Sequence, residues 1–311
     1  MSTGVKAPII RWEPAKVAQF GSTPLRFDHS LSENALFSDV ALMRLLERVE
    51  RSDYYVNTMD TSSHNPRSRR EGEIGCLSGE EVLEAVRTGS IWILLLHPHK
   101  ADGAYLDLLN EIYAEIGREV RGFKTDFRKM TILISSPNVQ VYYHCDIPGQ
   151  TLWQVRGRKR VYVYPGDEQH LPEKNMEQVV ARQTTEELPY TLAFEQDAQV
   201  MDLEPGQALT WPIYAPHRVE NLDRLCVSLS MDFQTWPSRF RNGALYTNAV
   251  LRSRGARPRM TDRMATPELA ARWAASLALK RTGALKSRLE HFERDFEPEV
   301  GVADGAGALR V

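Results

Sequence analysis

A chain of 311 residues with a formal net charge of -2 has no global electrostatic pull toward nucleic acid or anionic lipid. Its three cysteines, Cys76, Cys145 and Cys226, are far apart and odd in number, which argues against a disulfide framework or a thiolate zinc site and fits a reducing cytoplasm. The first residues lack a cationic start followed by an apolar run, so no signal peptide is expected, and no apolar stretch approaches the ~20 residues a membrane-spanning helix needs.

Residues 1–37 read as irregular, with a turn near Gly21-Ser-Thr-Pro24. Ser38 is a candidate N-cap for a helix running to Val49. Residues 57–77, rich in Ser, Arg and Gly, read as a loop. Ser78-Gly-Glu-Glu81 has the capping-box form and opens a second helix through Arg87. The nearly continuous apolar run from Ser90 to His97 reads as a buried strand. Tyr105, Leu108, Leu109, Ile112 and Ile116 recur at helical spacing, so 103–120 is a third helix.

From about 129 the texture becomes β. Strand-like runs occupy 130–135, 139–144, 151–155, 160–164, 200–203, 208–211 and 225–231, with a Pro-Gly turn at Glu204-Pro-Gly206. Many short strands joined by such turns suggest an antiparallel sandwich or jelly roll. After about 260 helix returns. Thr266-Pro267-Glu268 offers an N-cap and a first-turn proline, a last helix is expected near 282–295, and the Gly-rich tail from Gly301 is expected to be disordered. The expected organisation is a helical or mixed region at 1–125, a β core at 126–240, a helical region at 241–300 and a tail at 301–311. Leu269, Trp273, Leu277, Leu285, Leu289 and Phe292 give the C-terminal helices an apolar face, which serves either docking on the barrel or a two-fold homodimer contact.

His144-Cys145-Asp146 and the distant His217 supply two imidazoles and one carboxylate, a set that caps one face of an octahedral Fe(II) and leaves the opposite positions open. On a strand, residues i and i+2 share a face, so His144 and Asp146 can aim inward together while Cys145 faces away. The same alternation places Lys159 with Val161 and Val163. A lysine on an apolar face must find an anion or bear a large desolvation cost, and the carboxylate of a co-substrate would answer it.

Together these residues resemble the JmjC-type, cupin-like branch of the Fe(II)/2-oxoglutarate-dependent oxygenases. The matching stretches are Leu133 to Asp146, Leu152 to Pro165, Leu203 to Pro212, Ala215 to Asn221 and Ser228 to Phe233. The resemblance implies a double-stranded β-helix with flanking helices. It implies iron held by His144, Asp146 and His217, and 2-oxoglutarate paired with Lys159, which lies fifteen residues after the first His. It further implies an O2-consuming reaction that releases succinate and CO2 while hydroxylating a C–H of a peptide side chain or small molecule, with demethylation following where that carbon is bound to nitrogen. Two positions depart from the family. A hydroxyl residue three before the first His is replaced by Val141, and an Asn-Phe on the last strand is replaced by Asp232-Phe233. Tyr142, Thr151 and Ser230 are the candidate substitute donors to the co-substrate. A metal-binding cupin that works without 2-oxoglutarate, as an isomerase or a sensor, and a regulatory protein with a vestigial metal site are the alternatives.

Other residues invite a function and are better read as structural. Trp153, Trp211 and Tyr214 suit a β-sandwich core. Arg67, Arg69 and Arg70 suit a solvated loop, and Arg252 to Arg259 a linker, since no aromatics interleave that basic run as nucleic-acid contact would favour.

Overall fold

The computed structural model describes residues 7–61, 63, 65–222, 224–289 and 293–299. Its strands in chain order are β1 (Ile10–Arg11), β2 (Leu25–His29), β3 (Tyr54–Thr58), β4 (Arg70–Gly72), β5 (Ile91–Leu95), β6 (Phe127–Ser135), β7 (Gln140–His144), β8 (Gly149–Arg156), β9 (Lys159–Val163), β10 (Gln199–Leu203), β11 (Gln207–Thr210), β12 (His217–Asn221), β13 (Cys226–Gln234) and β14 (Arg294–Phe296). The helices are α1 (Asp39–Arg48), α2 (Gly79–Thr88), α3 (Pro98–Ala101), α4 (Ala104–Glu119), α5 (Glu173–Val180), α6 (Trp236–Ser253) and α7 (Thr266–Arg281). None of them is long and apolar enough to cross a membrane.

The strands form a ten-stranded sheet, β1-β2-β11-β8-β13-β6-β5-β3-β4-β14, and a four-stranded sheet, β10-β9-β12-β7. The central strands β11, β8, β13 and β6 face the small sheet across a shared apolar interior. That interior holds Leu133, Leu152, Val161, Val163, Leu203, Leu209, Trp211 and Val219. The result is a double-stranded β-helix, a mostly β fold with flanking helices. The other face of the large sheet presents Met130, Ile132, Ile134, Trp153, Val227, Leu229 and Met231 to a second core shared with α1, α2 and α4. Burial on both faces is why β6 and β13 read as continuous apolar runs rather than as clean alternation.

Several elements follow their local signals. Ser38 caps α1 through the backbone N–H of Ala41. Ser78 and Glu81 close a reciprocal capping box on α2. Other expectations are corrected. Residues 1–37 are not wholly irregular: Leu25, Phe27 and His29 of β2 turn inward, and β2 pairs with β11 at the sheet's edge. Residues 57–77 contain β4, which pairs with β3, so that stretch is anchored rather than free. Helix α6, with Thr235 and Ser238 as its capping box and a proline in its first turn, begins ahead of the helical region expected from 241, and no separate helix was placed there; most of its buried side chains are small or polar and leave a weak periodic signal. Helix α5 was also missed. Arg252, expected in a linker, closes α6 and forms an ion pair with the fully buried Glu177.

The expected helix at 282–295 does not form among the described residues. Gly283, at φ +63°, stops α7, and Arg294–Phe296 instead lies parallel to β4. A Cβ on Gly72 would stand 2.5 Å from the Phe296 carbonyl oxygen, so that close approach needs glycine. Helix α7 begins one residue earlier than expected, with Ala265 in the cap position and no side-chain cap. It docks on α6, with the Trp273 backbone against Gly243, while Leu277 stays exposed. Phe292 and the tail 301–311 lie outside the described residues.

Candidate metal centre

The three candidate ligands converge because β7 carries an irregularity. His144 pairs with His217 of β12, whereas Val141 pairs with Val219. Three steps on β7 therefore match two on β12, and the extra residue is a β-bulge. It places Val141 and His144 on the same inner side, which simple alternation forbids. Asp146 follows two residues on. Cys145 points outward, its thiol 3.2 Å from the Met176 sulfur, as alternation predicts.

Each imidazole is oriented by a backbone carbonyl. His144 Nδ1 donates to the Tyr142 carbonyl at 2.7 Å, and His217 Nδ1 donates to the Ala215 carbonyl at 3.0 Å. Both Nε2 atoms then face Asp146. His217 Nε2 is 3.1 Å from Asp146 Oδ2, and His144 Nε2 is 3.9 Å from Oδ1. One ligand atom from each of the three residues lies within 4.8 Å of the others. Burial, with His217 adjacent, lowers His144 to about 4, so it is neutral and able to bind a metal near pH 7. Trp211 packs on the His217 ring at 4.5 Å between centroids.

Asp146 Oδ2 is buried and has no hydrogen-bond partner among the described residues. A buried carboxylate oxygen beside two imidazole nitrogens is costly unless a proton or a metal ion lies between them. The donor set, two imidazoles and one carboxylate with each Nδ1 held by a backbone carbonyl, fits a divalent transition metal.

Lys159 stands on the same inner face, 3% exposed. Its register partners are Leu203 and Asn221, so Lys159, Val161 and Val163 all point inward, as expected. Its ammonium donates to Asn221 Oδ1 at 2.6 Å and reaches Ser135 Oγ at 3.4 Å. It forms no ion pair among the described residues, and burial depresses its basicity. Asn221 and Ser135 were not singled out from sequence, although the step of four from His217 puts Asn221 on the same strand face.

The three candidate co-substrate donors separate. Thr151 sits on the outer face, where its hydroxyl accepts the Trp153 indole N–H at 2.8 Å, so it does not reach the interior. The Tyr142 hydroxyl is bonded to Ser68 at 2.7 Å, in the 57–77 segment. Ser230 does face the interior and donates to Asp232 Oδ1 at 3.3 Å. Asp232 pairs in register with Lys129 and Gln150. Burial pushes its carboxyl up to about 6, Lys129 partly opposing and Asp146 adding to the rise.

Two segments flank the triad. Cys145 N–H donates to the Glu186 carbonyl and Leu188 N–H to the Tyr143 carbonyl, so residues 186–188 extend the edge of β7. Arg69 bridges to Glu187 at 2.8 Å and Arg70 to Asp295 at 3.0 Å, so these arginines are paired rather than merely solvated. The Arg67 side chain lies outside the described residues. Trp153, fully buried, belongs to the core as expected.

A family model for a cupin-like domain matches residues 34–238. Among solved structures, the chain is similar to an X-ray structure of Escherichia coli YcfD at 16% identity, covering 92% of this chain and 74% of that one, with a TM-score of 0.49. It is similar to YcfD, described as a ribosomal oxygenase, in complex with cobalt and 2-oxoglutarate, at 15% identity, covering 92% and 73%, with a TM-score of 0.47. A YcfD complex with cobalt and succinic acid aligns at 16% identity over 88% and 69%, with a TM-score of 0.43. No curated protein matches the sequence.

Proposed function

The chain belongs to the cupin-like domain family, and on that premise we propose that it is an Fe(II)/2-oxoglutarate-dependent oxygenase that hydroxylates a C–H of a peptide side chain or small molecule. One juxtaposition carries this reading: a His-Asp-His cluster with metal-ligand geometry and a buried lysine whose partners among the described residues are neutral share one barrel interior. In it, His144 Nε2, His217 Nε2 and Asp146 hold iron(II), and Lys159 holds the distal carboxylate of 2-oxoglutarate. With O2, the bound iron and co-substrate supply a two-electron oxidation that puts one oxygen atom into the substrate C–H and the other into succinate, with loss of CO2.

The chain's own residues do the positioning. The Tyr142 and Ala215 carbonyls keep both Nδ1 protons in place, so both Nε2 atoms remain ligands. Val163 of β9 lies opposite His217, four residues from Lys159. At ~3.3 Å per residue that is about 13 Å, a span that a lysine side chain and a five-carbon dicarboxylate fill together. Val161 and Val219 lie between them and exclude water. A dry setting strengthens the attraction between ammonium and carboxylate.

The test is an anaerobic titration of the Fe(II) protein with 2-oxoglutarate, following the weak visible charge-transfer band of the chelate. A saturable band that needs far more ligand in Lys159→Ala supports the reading. Stoichiometric iron without a band favours a metal-binding cupin that does not use 2-oxoglutarate, the reading that Val141 and Asp232 on the inner face motivate.

A further inference from the structure

The inner end of the barrel is polar. Asn221 Nδ2 donates to the Ser136 carbonyl at 2.6 Å and to Ser135 Oγ at 2.8 Å. A carbonyl can only accept, so the Ser136 contact fixes which end of the Asn221 amide is nitrogen. Asn221 Oδ1 must then face Lys159, whose ammonium donates to it at 2.6 Å. Ser135 Oγ accepts from Asn221 and receives a longer contact of 3.4 Å from Lys159. With its oxygen engaged as an acceptor, Ser135 retains one hydroxyl hydrogen, and no acceptor for it occurs among the described residues. Ser135 is 1% exposed, so water does not readily serve it. Lys159 has three donors, of which Asn221 takes one and the longer Ser135 contact a second, leaving a third.

Ser135 sits on β6 and pairs with Cys226 of β13, on the inner side that Leu133 also occupies. It thus approaches the Lys159 ammonium from the opposite sheet. A hydroxyl hydrogen and an ammonium hydrogen without acceptors among the described residues converge on one dry spot, and a carboxylate answers both.

Resting on the oxygenase reading, we propose that Ser135 is a co-substrate-binding residue. Its hydroxyl donates to the distal carboxylate held by Lys159, and it supplies from the large sheet the donor that Val141 does not supply from β7. Asn221 is a positioning residue. Its amide aims the Lys159 ammonium through Oδ1 and turns the Ser135 hydroxyl hydrogen outward through Nδ2, without touching the co-substrate.

The experiment is isothermal titration calorimetry of the cobalt(II)-loaded protein with 2-oxoglutarate and with 2-oxovalerate, which keeps the metal-chelating end and lacks the distal carboxylate. Ser135→Ala is expected to weaken 2-oxoglutarate about tenfold or more, the size of a lost hydrogen bond to a charged group, and to leave 2-oxovalerate unchanged. Asn221→Ala should reduce the preference for 2-oxoglutarate in the same direction, with thermal unfolding of each variant showing that the barrel is intact. Equal weakening of both ligands in Ser135→Ala, or no weakening of either, overturns the role of Ser135. A wild-type protein that binds cobalt but does not prefer 2-oxoglutarate over 2-oxovalerate overturns the oxygenase reading itself, and the assignment of Ser135 with it.

Discussion

Asp146 Oδ2 faces His217 Nε2 at 3.1 Å while His217 Nδ1 is committed to the Ala215 carbonyl, so Nε2 is the ring atom left to share a proton or a metal ion with the carboxylate. A metal ion between the two atoms takes the place of that proton.

Asp146→Asn therefore has opposite consequences for stability and for metal binding. An amide N–H at that position donates to His217 Nε2 and removes a buried charge. The metal-free variant is expected to be as stable as the parent or more stable, by roughly 0.5–1.5 kcal/mol. Its melting temperature should no longer rise when Fe(II) or Co(II) is added under anaerobic conditions. Thermal unfolding with chelator and with metal reads both effects. Marked destabilisation of the metal-free variant would mean that Oδ2 has a partner.

Lys159→Met should separate folding from co-substrate binding. The substitution removes a buried cation that has only neutral partners, a change that is often neutral or stabilising. It leaves Asn221 Oδ1 without its donor, which offsets part of the gain by about 1–3 kcal/mol. Unfolding stability is expected to move little, while affinity for 2-oxoglutarate drops at least tenfold. Chemical denaturation alongside a ligand titration tests this, and retained affinity would rule out the lysine's assigned role.

Acid sensitivity should reside partly in His29. Its Nδ1 accepts the Leu31 N–H at 3.0 Å, and its Nε2 donates to the Gln207 carbonyl at 3.2 Å. Only the neutral ring satisfies both bonds, and burial lowers its titration to about 4. The unfolded chain takes up this proton near its ordinary value of ~6.5. Between these values the unfolded state binds more protons, so stability is full above about 6.5 and falls as pH drops toward 4. His144 behaves alike in the metal-free protein. Urea unfolding across this window should show a shallower slope in His29→Gln, and an unchanged slope would exclude His29 as a source.

Gly243→Ala should loosen α7 and spare the barrel. A Cβ there would meet Trp273 Cα at 2.6 Å and the Trp273 side chain at 2.7 Å. The expected cost is about 1–3 kcal/mol, as for other overpacked contacts. Hydrogen exchange should increase across 266–281, while cobalt still binds stoichiometrically. Unchanged exchange across α7 would show that the helices slide apart without cost.

Much of the interior was readable before the structure. Alternation along β9 placed Lys159 with Val161 and Val163, and the pattern His-x-Asp put Cys145 on the outside. Thr151 and Tyr142 were named as candidate donors without a register to place them. Thr151 shares the outer face of β8 with Trp153, a parity that only pairing with β11 and β13 fixes. Tyr142 belongs to a bulge, and a bulge changes which residues share a face without leaving a signature in composition. The strands outside the barrel were harder to see. β2 and β4 are short, and β14 depends on a partner about 220 residues away, against which a helical reading of 282–295 had no competitor.

The sequence by itself determined the residue types and their order: two histidines, an aspartate and an inward lysine, on strands whose apolar runs require burial on both faces. Such features are local, set by side-chain chemistry and the two-residue period of a strand. Tertiary structure alone decided that His144 meets His217, that Asp146 Oδ2 faces His217 Nε2, and that Ser135 from one sheet and Asn221 from the other converge on Lys159. Those relations depend on strand register, one bulge and the spacing between two sheets, which arise only when distant segments pack and each buried polar group must find its partner.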